Sequence, residues 1–382
     1  MMIKKFSTYF KYLLFLVSVL IFWLSRWQVH QAYYHSTKTR HAKTHLLILT
    51  TWRSGSTFVG HLFNHNLDVF YMMEPDKHIW NRLPQEHPNL LHTPLRDLIR
   101  SIFLCDMSAF SYYISNNEFI SNIFMWQESR ALCSPPICPD STFTQFNRTE
   151  CLRKCNRVPF EKLEEACRAH SYVVVKVVRI LDLKILYQLL KDPSLDLKII
   201  HLVRDPRAIL SSREGFPYLN EDDATISRVQ NSKNNISVVM QEICNAQVQM
   251  YKLASQDPQP FLKGRYRMMR YEDLVRDPVA HIRDLYDFVG LKITPSMESW
   301  IYNVTHGLIP NDKDLLPFSE DSRKIALQWR ERLSFQKVKE VQKLCQQDME
   351  VFGYAFIEAE QEQKNMSLDL LLPKLDQFNL TT

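Results

Sequence analysis

Leu46-Leu47-Ile48-Leu49-Thr50-Thr51-Trp52-Arg53-Ser54-Gly55-Ser56-Thr57 is the stretch that decides the fold. Its first four residues form an apolar run that reads as a buried strand, and the polar residues after it read as a turn opening a helix. Backbone amides around Ser54, Gly55 and Ser56 can wrap an anion. Gly55 lets the chain approach closely, and the N-terminus of a helix over 57–64 favours negative charge. A simple helix-capping turn is the plainer reading of the same residues. The loop is not that of a nucleotide triphosphatase. Gly-x4-Gly-Lys-Ser/Thr would need glycine at position 50 and lysine at position 56, where the chain has Thr50 and Ser56.

A second basic turn answers the first. Leu197 to Val203 is another apolar strand, and it ends in Arg204-Asp205-Pro206-Arg207. Ser212 lies eight residues past Arg204, where the next helix carries it back toward the same ligand. Two anion sites on one sheet point to a ligand with two phosphates, with Arg204 binding by charge and Ser212 by its hydroxyl. The alternative for Arg204 is an ion pair with Asp205 or Glu214.

Outward from these turns, Val69 to Met73 is a strand ending at Glu74-Pro75, and Ser171 to Val178 is a strand broken only by Lys176. Arg265 to Arg270 resembles an edge strand. Helical spacing marks Pro94 to Asp106, the set Leu183, Leu186 and Leu190, Gln241 to Ala254, and Val279 to Val289, which Gly290 ends. Phe216 to Asn235 is polar and aperiodic, and reads either as a disordered loop or as a lid over an acceptor. Alternating strands and helices imply an α/β three-layer sandwich with a central parallel sheet and a P-loop-like turn. Ligands of such a sheet bind at the carboxyl ends of its strands.

The chain has 382 residues, 45% of them apolar, enough for one large core. Its net charge of +5 is modest and spread along the sequence, and gives no specific sign of nucleic-acid binding. Tyr12 to Leu24 is an apolar run interrupted only by Ser18, with Lys4, Lys5 and Lys11 before it and Arg26 after it. This reads as an uncleaved signal anchor over 9–27, with 1–8 cytosolic, a luminal stem over 28–44 and a luminal domain over 45–382: a type II topology. A cleaved signal peptide is the rival, but Ser25-Arg26-Trp27-Gln28 offers no small-x-small cleavage site. Sequons at Asn147, Asn235, Asn303, Asn365 and Asn379 fit luminal exposure. Cys133, Cys138, Cys151, Cys155 and Cys167 crowd one segment and read as a disulfide-stapled insertion. Cys105, Cys244 and Cys345 are left either to complete the pairing or to stay thiols, and a zinc site is the alternative, lacking a matching histidine pair.

With both turns in place, the chain resembles the carbohydrate 6-O-sulfotransferases of the Golgi. The resemblance runs from about His45 to about Tyr354, through Asp68-Val69-Phe70-Tyr71-Met72-Met73-Glu74-Pro75, Ser101-Ile102-Phe103-Leu104-Cys105-Asp106-Met107, Ser129-Arg130-Ala131-Leu132-Cys133-Ser134 and His201-Leu202-Val203-Arg204-Asp205-Pro206-Arg207-Ala208. Trp52 and the stretch from Glu74-Pro75 to Trp80 look most like the N-acetylglucosamine branch. The resemblance implies a 5′-phosphosulfate loop at Arg53, Ser54, Gly55, Ser56 and Thr57, a 3′-phosphate site at Arg204 and Ser212, and 3′-phosphoadenosine 5′-phosphosulfate (PAPS) as donor without a metal. It also implies glycan chains of glycoproteins or proteoglycans as acceptors at the Golgi membrane, and leaves a homo-oligomer open.

Sulfonyl transfer to a sugar hydroxyl needs a base, cations for the transferring and leaving groups, and in-line positioning. The resemblance places the base at Glu74, while His78 competes because an imidazole needs less tuning. Lys176 with Arg179 resembles the family's basic strand-end pair, touching the sulfonyl oxygens or the acceptor. The other reading of Lys176 is a lysine at a solvated strand end. Where relatives carry Glu between these basic residues, this chain has Val177 and Val178. Trp329-Arg330 matches a family pair that closes over the cofactor, and packing into the core is the alternative. The leading expectation is transfer to the 6-hydroxyl of N-acetylglucosamine. Galactose or N-acetylgalactosamine 6-O-sulfation of keratan or chondroitin, a non-catalytic glycan-binding relative, and a kinase-like transferase follow it.

Overall fold

The computed structural model describes residues 23, 43–84, 86–116, 118–139, 147–216, 219–227, 236–256, 258–308 and 321–373. The expected tail, anchor and stem lie outside these residues, apart from Trp23, Lys43 and Thr44. Among the described residues, no helix is long and apolar enough to cross a membrane. The chain divides into Met1–Ala42 and the compact unit Lys43–Thr382, and the second carries the sheet.

Five strands, β1 (Thr44–Thr50), β2 (Val69–Met73), β3 (Tyr172–Val177), β4 (Asp196–Val203) and β5 (Tyr266–Arg270), form one parallel sheet in the order β2-β3-β1-β4-β5. Their side chains alternate between two cores, as strands covered on both faces require. Leu47 and Leu49 pack on one face with Val173, Val175 and Val177 and with the helix Pro88–Phe103. Leu46 and Ile48 pack on the other with Val174 and the helices Ser56–Asn64, Pro278–Val289 and Pro295–Thr305. This is the expected three-layer sandwich. The connections leaving β1 and β4 run to opposite sides of the sheet, which opens a crevice between their carboxyl ends.

The expected helix over Pro94 to Asp106 begins earlier, at Pro88. Proline suits the first turn, and His87 accepts a hydrogen bond from Asn89 N at 3.0 Å as its cap. Part of the aperiodic segment after Phe216 is also helical, over Asn220–Ser227. Hydrophobic periodicity misses it because Ile226 is the one large apolar residue among its buried positions, the others being Asp222, Asp223, Thr225 and Ser227.

All eight cysteines pair, as Cys105–Cys167, Cys133–Cys151, Cys138–Cys155 and Cys244–Cys345, which replaces the zinc alternative. The last bridge spans 101 residues and ties the helix Ile236–Ser255 to the end of Phe335–Leu344. By loop entropy, the double variant Cys244→Ala/Cys345→Ala is expected to lose about 4 kcal/mol of stability, read as an earlier midpoint in denaturant with a steeper slope, since the released loop exposes more surface when unfolded.

Asn147 caps the helix Arg148–Lys154 by accepting from Glu150 N at 2.9 Å, and Asn365 is exposed. Asn303 lies within the helix Pro295–Thr305, where its sequon threonine, Thr305, is buried. Asn235 and Asn379 lie outside the described residues.

Candidate active site

The two basic turns meet at Arg53. Its Nε donates to Ser212 Oγ at 2.9 Å, its guanidinium lies 3.6 Å from the centre of the Phe216 ring, and its carbonyl accepts from Arg204 Nη1 at 3.1 Å. The local sequence dictates this shape. Gly55 has φ +86°, and a Cβ there would collide with the Tyr271 ring, so glycine is required twice over. Arg53 also sits at positive φ, +67°, a strained conformation of the kind that functional loops hold. Ser54 is fully buried, with its hydroxyl 3.3 Å from that of Thr51, and Ser56 and Thr57 open the helix Ser56–Asn64, whose first turn carries no acid.

Arg204 pairs with neither expected acid, because Asp205 is bonded to Arg207 at 2.7 Å and Glu214 to Lys337 at 2.6 Å. Instead, Arg204 donates to the carbonyls of Arg53 and Ile325, lies 4.7 Å from the centre of the Tyr271 ring, and keeps a buried Nε without a hydrogen-bond partner. Two arginines, a hydroxyl and an acid-free helix start at the β1/β4 crevice fit a phosphate-bearing ligand.

The neighbouring strand ends carry carboxylates. Glu74 follows β2 at φ +48°, and its amide donates to Lys176 O at 2.8 Å, which carries the ladder one residue past the strand. That step places its carboxylate between two cations: Oε1 is bonded to Lys176 Nζ, and Oε2 accepts from Arg179 Nη1 at 3.0 Å. Burial pushes the Glu74 pKa up, but Lys176 and Arg179 outweigh it and hold the carboxyl down at about 2. Lys176 is 1% exposed, so it is not a solvated strand end.

Sequence reading missed the acids that complete this cluster. Asp76 accepts from Val178 N at 3.2 Å, Arg179 N at 3.1 Å and Arg179 Nη1 at 3.3 Å, and burial pushes it up to about 6 despite Arg179. It supplies a carboxylate beside Val177 and Val178, which carry no acid themselves. Asp222 accepts from Arg179 Nη2 and Trp52 Nε1, both at 2.8 Å, and from Lys77 Nζ at 3.0 Å. Burial pushes Asp222 up, and Arg179 and Lys77 bring it below the usual carboxylate range. The signal that could have found Asp222 was the run Glu221-Asp222-Asp223 in an otherwise featureless segment beside a chain region rich in buried arginine.

His78 and Arg330 are both engaged by backbone groups in this structure. His78 Nε2 accepts from Phe124 N at 2.8 Å, and burial, helped by Arg179, lowers its pKa to about 4, so it holds a neighbouring turn as a neutral ring. Arg330 is buried and donates to the carbonyls of Gln363, Leu368, Glu362 and Asn365 at 2.9–3.1 Å. Trp329 is buried beside it, 4.4 Å below the Arg207 guanidinium. In this structure, the pair fastens the C-terminal segment to the core.

Comparison with known proteins agrees with this architecture. Residues 43–353 match the family model described as a sulfotransferase domain. The chain is 44% identical over 342 residues to carbohydrate sulfotransferase 6 of Homo sapiens, covering 87% of this chain and 86% of that one. It is 44% identical to carbohydrate sulfotransferase 5 of Mus musculus, covering 88% and 87%, and 41% identical to carbohydrate sulfotransferase 4 of the same species, covering 86% of each. A strand-end anion cradle, a clamped carboxylate beside it and this extent of likeness have one reading: the chain belongs to the sulfotransferase domain family, among the carbohydrate sulfotransferases.

Proposed function

We propose that this protein transfers the sulfonyl group of PAPS to the 6-hydroxyl of N-acetylglucosamine in glycans of the Golgi lumen, as a type II membrane enzyme. The observation that carries the chemistry is the Glu74 carboxylate held between Lys176 and Arg179, one strand pair away from the Arg53, Ser212 and Arg204 cradle. When bound, the donor supplies a sulfonyl group whose bond to phosphate oxygen breaks as the sugar oxygen attaches. Arg53, Arg204 and Ser212 hold phosphate oxygens, aided by amides of the loop 53–57. Lys176 and Arg179 face the developing charge.

Glu74 takes the hydroxyl proton. At about 2 its pKa makes it a weak base, but burial raises it as Lys176 turns from Glu74 toward the transferring group. His78, with Nε2 engaged by Phe124, is the less suited of the two candidates.

The names of the relatives support a carbohydrate acceptor, and the Trp52 and Glu74 to Trp80 stretches favour N-acetylglucosamine; galactose or N-acetylgalactosamine on keratan or chondroitin is the second reading. Solubilised full-length protein, given labelled PAPS and oligosaccharides ending in each of the three sugars, is expected to label the 6-position of N-acetylglucosamine, with label lost in Arg53→Ala. Label on galactose would move the acceptor and keep the chemistry. Binding of the donor without transfer would sink the enzymatic reading.

A further inference from the structure

Asp222 contributes to no anion cradle, yet its two oxygens collect three donors from parts of the chain far apart in sequence. Trp52 Nε1 comes from the loop next to Arg53, Arg179 Nη2 from the end of β3, and Lys77 Nζ from the helix Lys77–Arg82 that follows Glu74. Asp222 is 3% exposed, so these bonds are shielded from water. Its neighbour Asp223 pairs with Arg213, in the same helix as Ser212. One short helix therefore touches the donor loop, the second basic turn and the cations around Glu74.

We infer that Asp222, itself held by Lys77, is a positioning residue that holds Arg179 in place, so that Glu74 shares the Arg179 guanidinium with it and keeps its aim at the acceptor hydroxyl. The inference rests on Glu74 as the proton acceptor. The charge balance explains it. Glu74, Asp76 and Asp222 stand against Lys176, Arg179 and Lys77, all largely buried. Neutralising Asp222 leaves one cation in excess: Lys77 retains Glu221 at 3.8 Å, while Arg179, already bonded to Glu74 Oε2 through Nη1, is left to Glu74 and Asp76 and draws more closely on Glu74. A Glu74 so engaged no longer offers a lone pair to the acceptor. The Asp222 carboxylate also fixes Trp52, the residue before Arg53, which links donor-loop geometry to the acid.

The test is a double-mutant cycle in the full chain, using Asp222→Asn, Glu74→Gln and both together. Asparagine keeps the shape and an acceptor for Trp52 Nε1 but removes the charge. Asp222→Asn is expected to lower kcat by about 10²-fold, with donor KM changed by less than about threefold, and Glu74→Gln by about 10³-fold. If Asp222 acts through Glu74, the double variant is no slower than Glu74→Gln alone. Multiplying losses in the double variant would overturn the inference while leaving Glu74 as the base. Full turnover in Glu74→Gln would instead overturn the base assignment on which the inference depends. Should Asp222→Asn fail to fold, Lys77→Gln, at the less buried partner, enters the same cycle; it is expected to cost about tenfold in kcat and nothing further on the Glu74→Gln background.

Discussion

Lys176→Met is expected to reduce turnover by about 10³-fold while the protein still folds, because it removes a cation from the reacting centre and strands Glu74 with Arg179 alone. The side chains are similar in length and shape, so the core face that Lys176 shares with Val174 stays filled. Breaking a buried pair costs about 3 to 5 kcal/mol, and the remaining Glu74–Arg179 and Glu74 backbone bonds place the loss toward the lower end.

In the native protein Glu74 is held at about 2, below its ordinary 4.5, so its pairs contribute stability that is fully present above about pH 4.5 and is lost as the pH falls toward 2. Without Lys176, burial, the largest influence on this carboxyl, pushes its pKa upward. The variant is therefore expected to lose the acid-side stability change that Glu74 gives the native chain. Denaturant midpoints measured from pH 3 to pH 7 would show it, and an unchanged acid profile would mean that Lys176 does not set the Glu74 charge.

Gly55→Val is the second large effect. A β-branched side chain at φ +86° costs about 1 to 3 kcal/mol in conformation alone, and its Cβ would also meet the Tyr271 ring. The ring cannot retreat freely, since it is buried and stacked on Arg204. Displacing it moves Arg204, so donor binding is expected to fall by more than about 100-fold, measured as the affinity for adenosine 3′,5′-bisphosphate by calorimetry. Gly264→Ala separates strain from geometry: that glycine also has positive φ, +70°, but nothing lies within 4 Å of its added Cβ. Its loss of stability, about 1 kcal/mol, is expected with donor affinity unchanged. Equal affinity losses in the two variants would mean that the loop's approach to Tyr271 is not what shapes the cradle.

The sequence by itself determined the sheet, the glycine-containing loop 53–57 and the second basic turn. Each depends on short-range rules: apolar runs from Leu46 to Leu49 and from Leu197 to Val203, a glycine where φ must be positive, and Pro206 opening a helix after Arg204. It also marked Lys176 as anomalous in an apolar strand. Only the tertiary structure decided how the charges pair. Asp222 meets Trp52 and Lys77 across 170 and 145 residues, Arg179 gathers three carboxylates from two segments, and Cys244 finds Cys345 across 101. Arg330 likewise spends its donors on backbone carbonyls 32 to 38 residues away. Hydrophobic periodicity reports which side of an element is dry, and a helix that buries acids against buried cations leaves no such trace. Charge pairing depends on which strand ends the chain topology brings side by side, and that is settled only when the sheet order places β3 between β2 and β1.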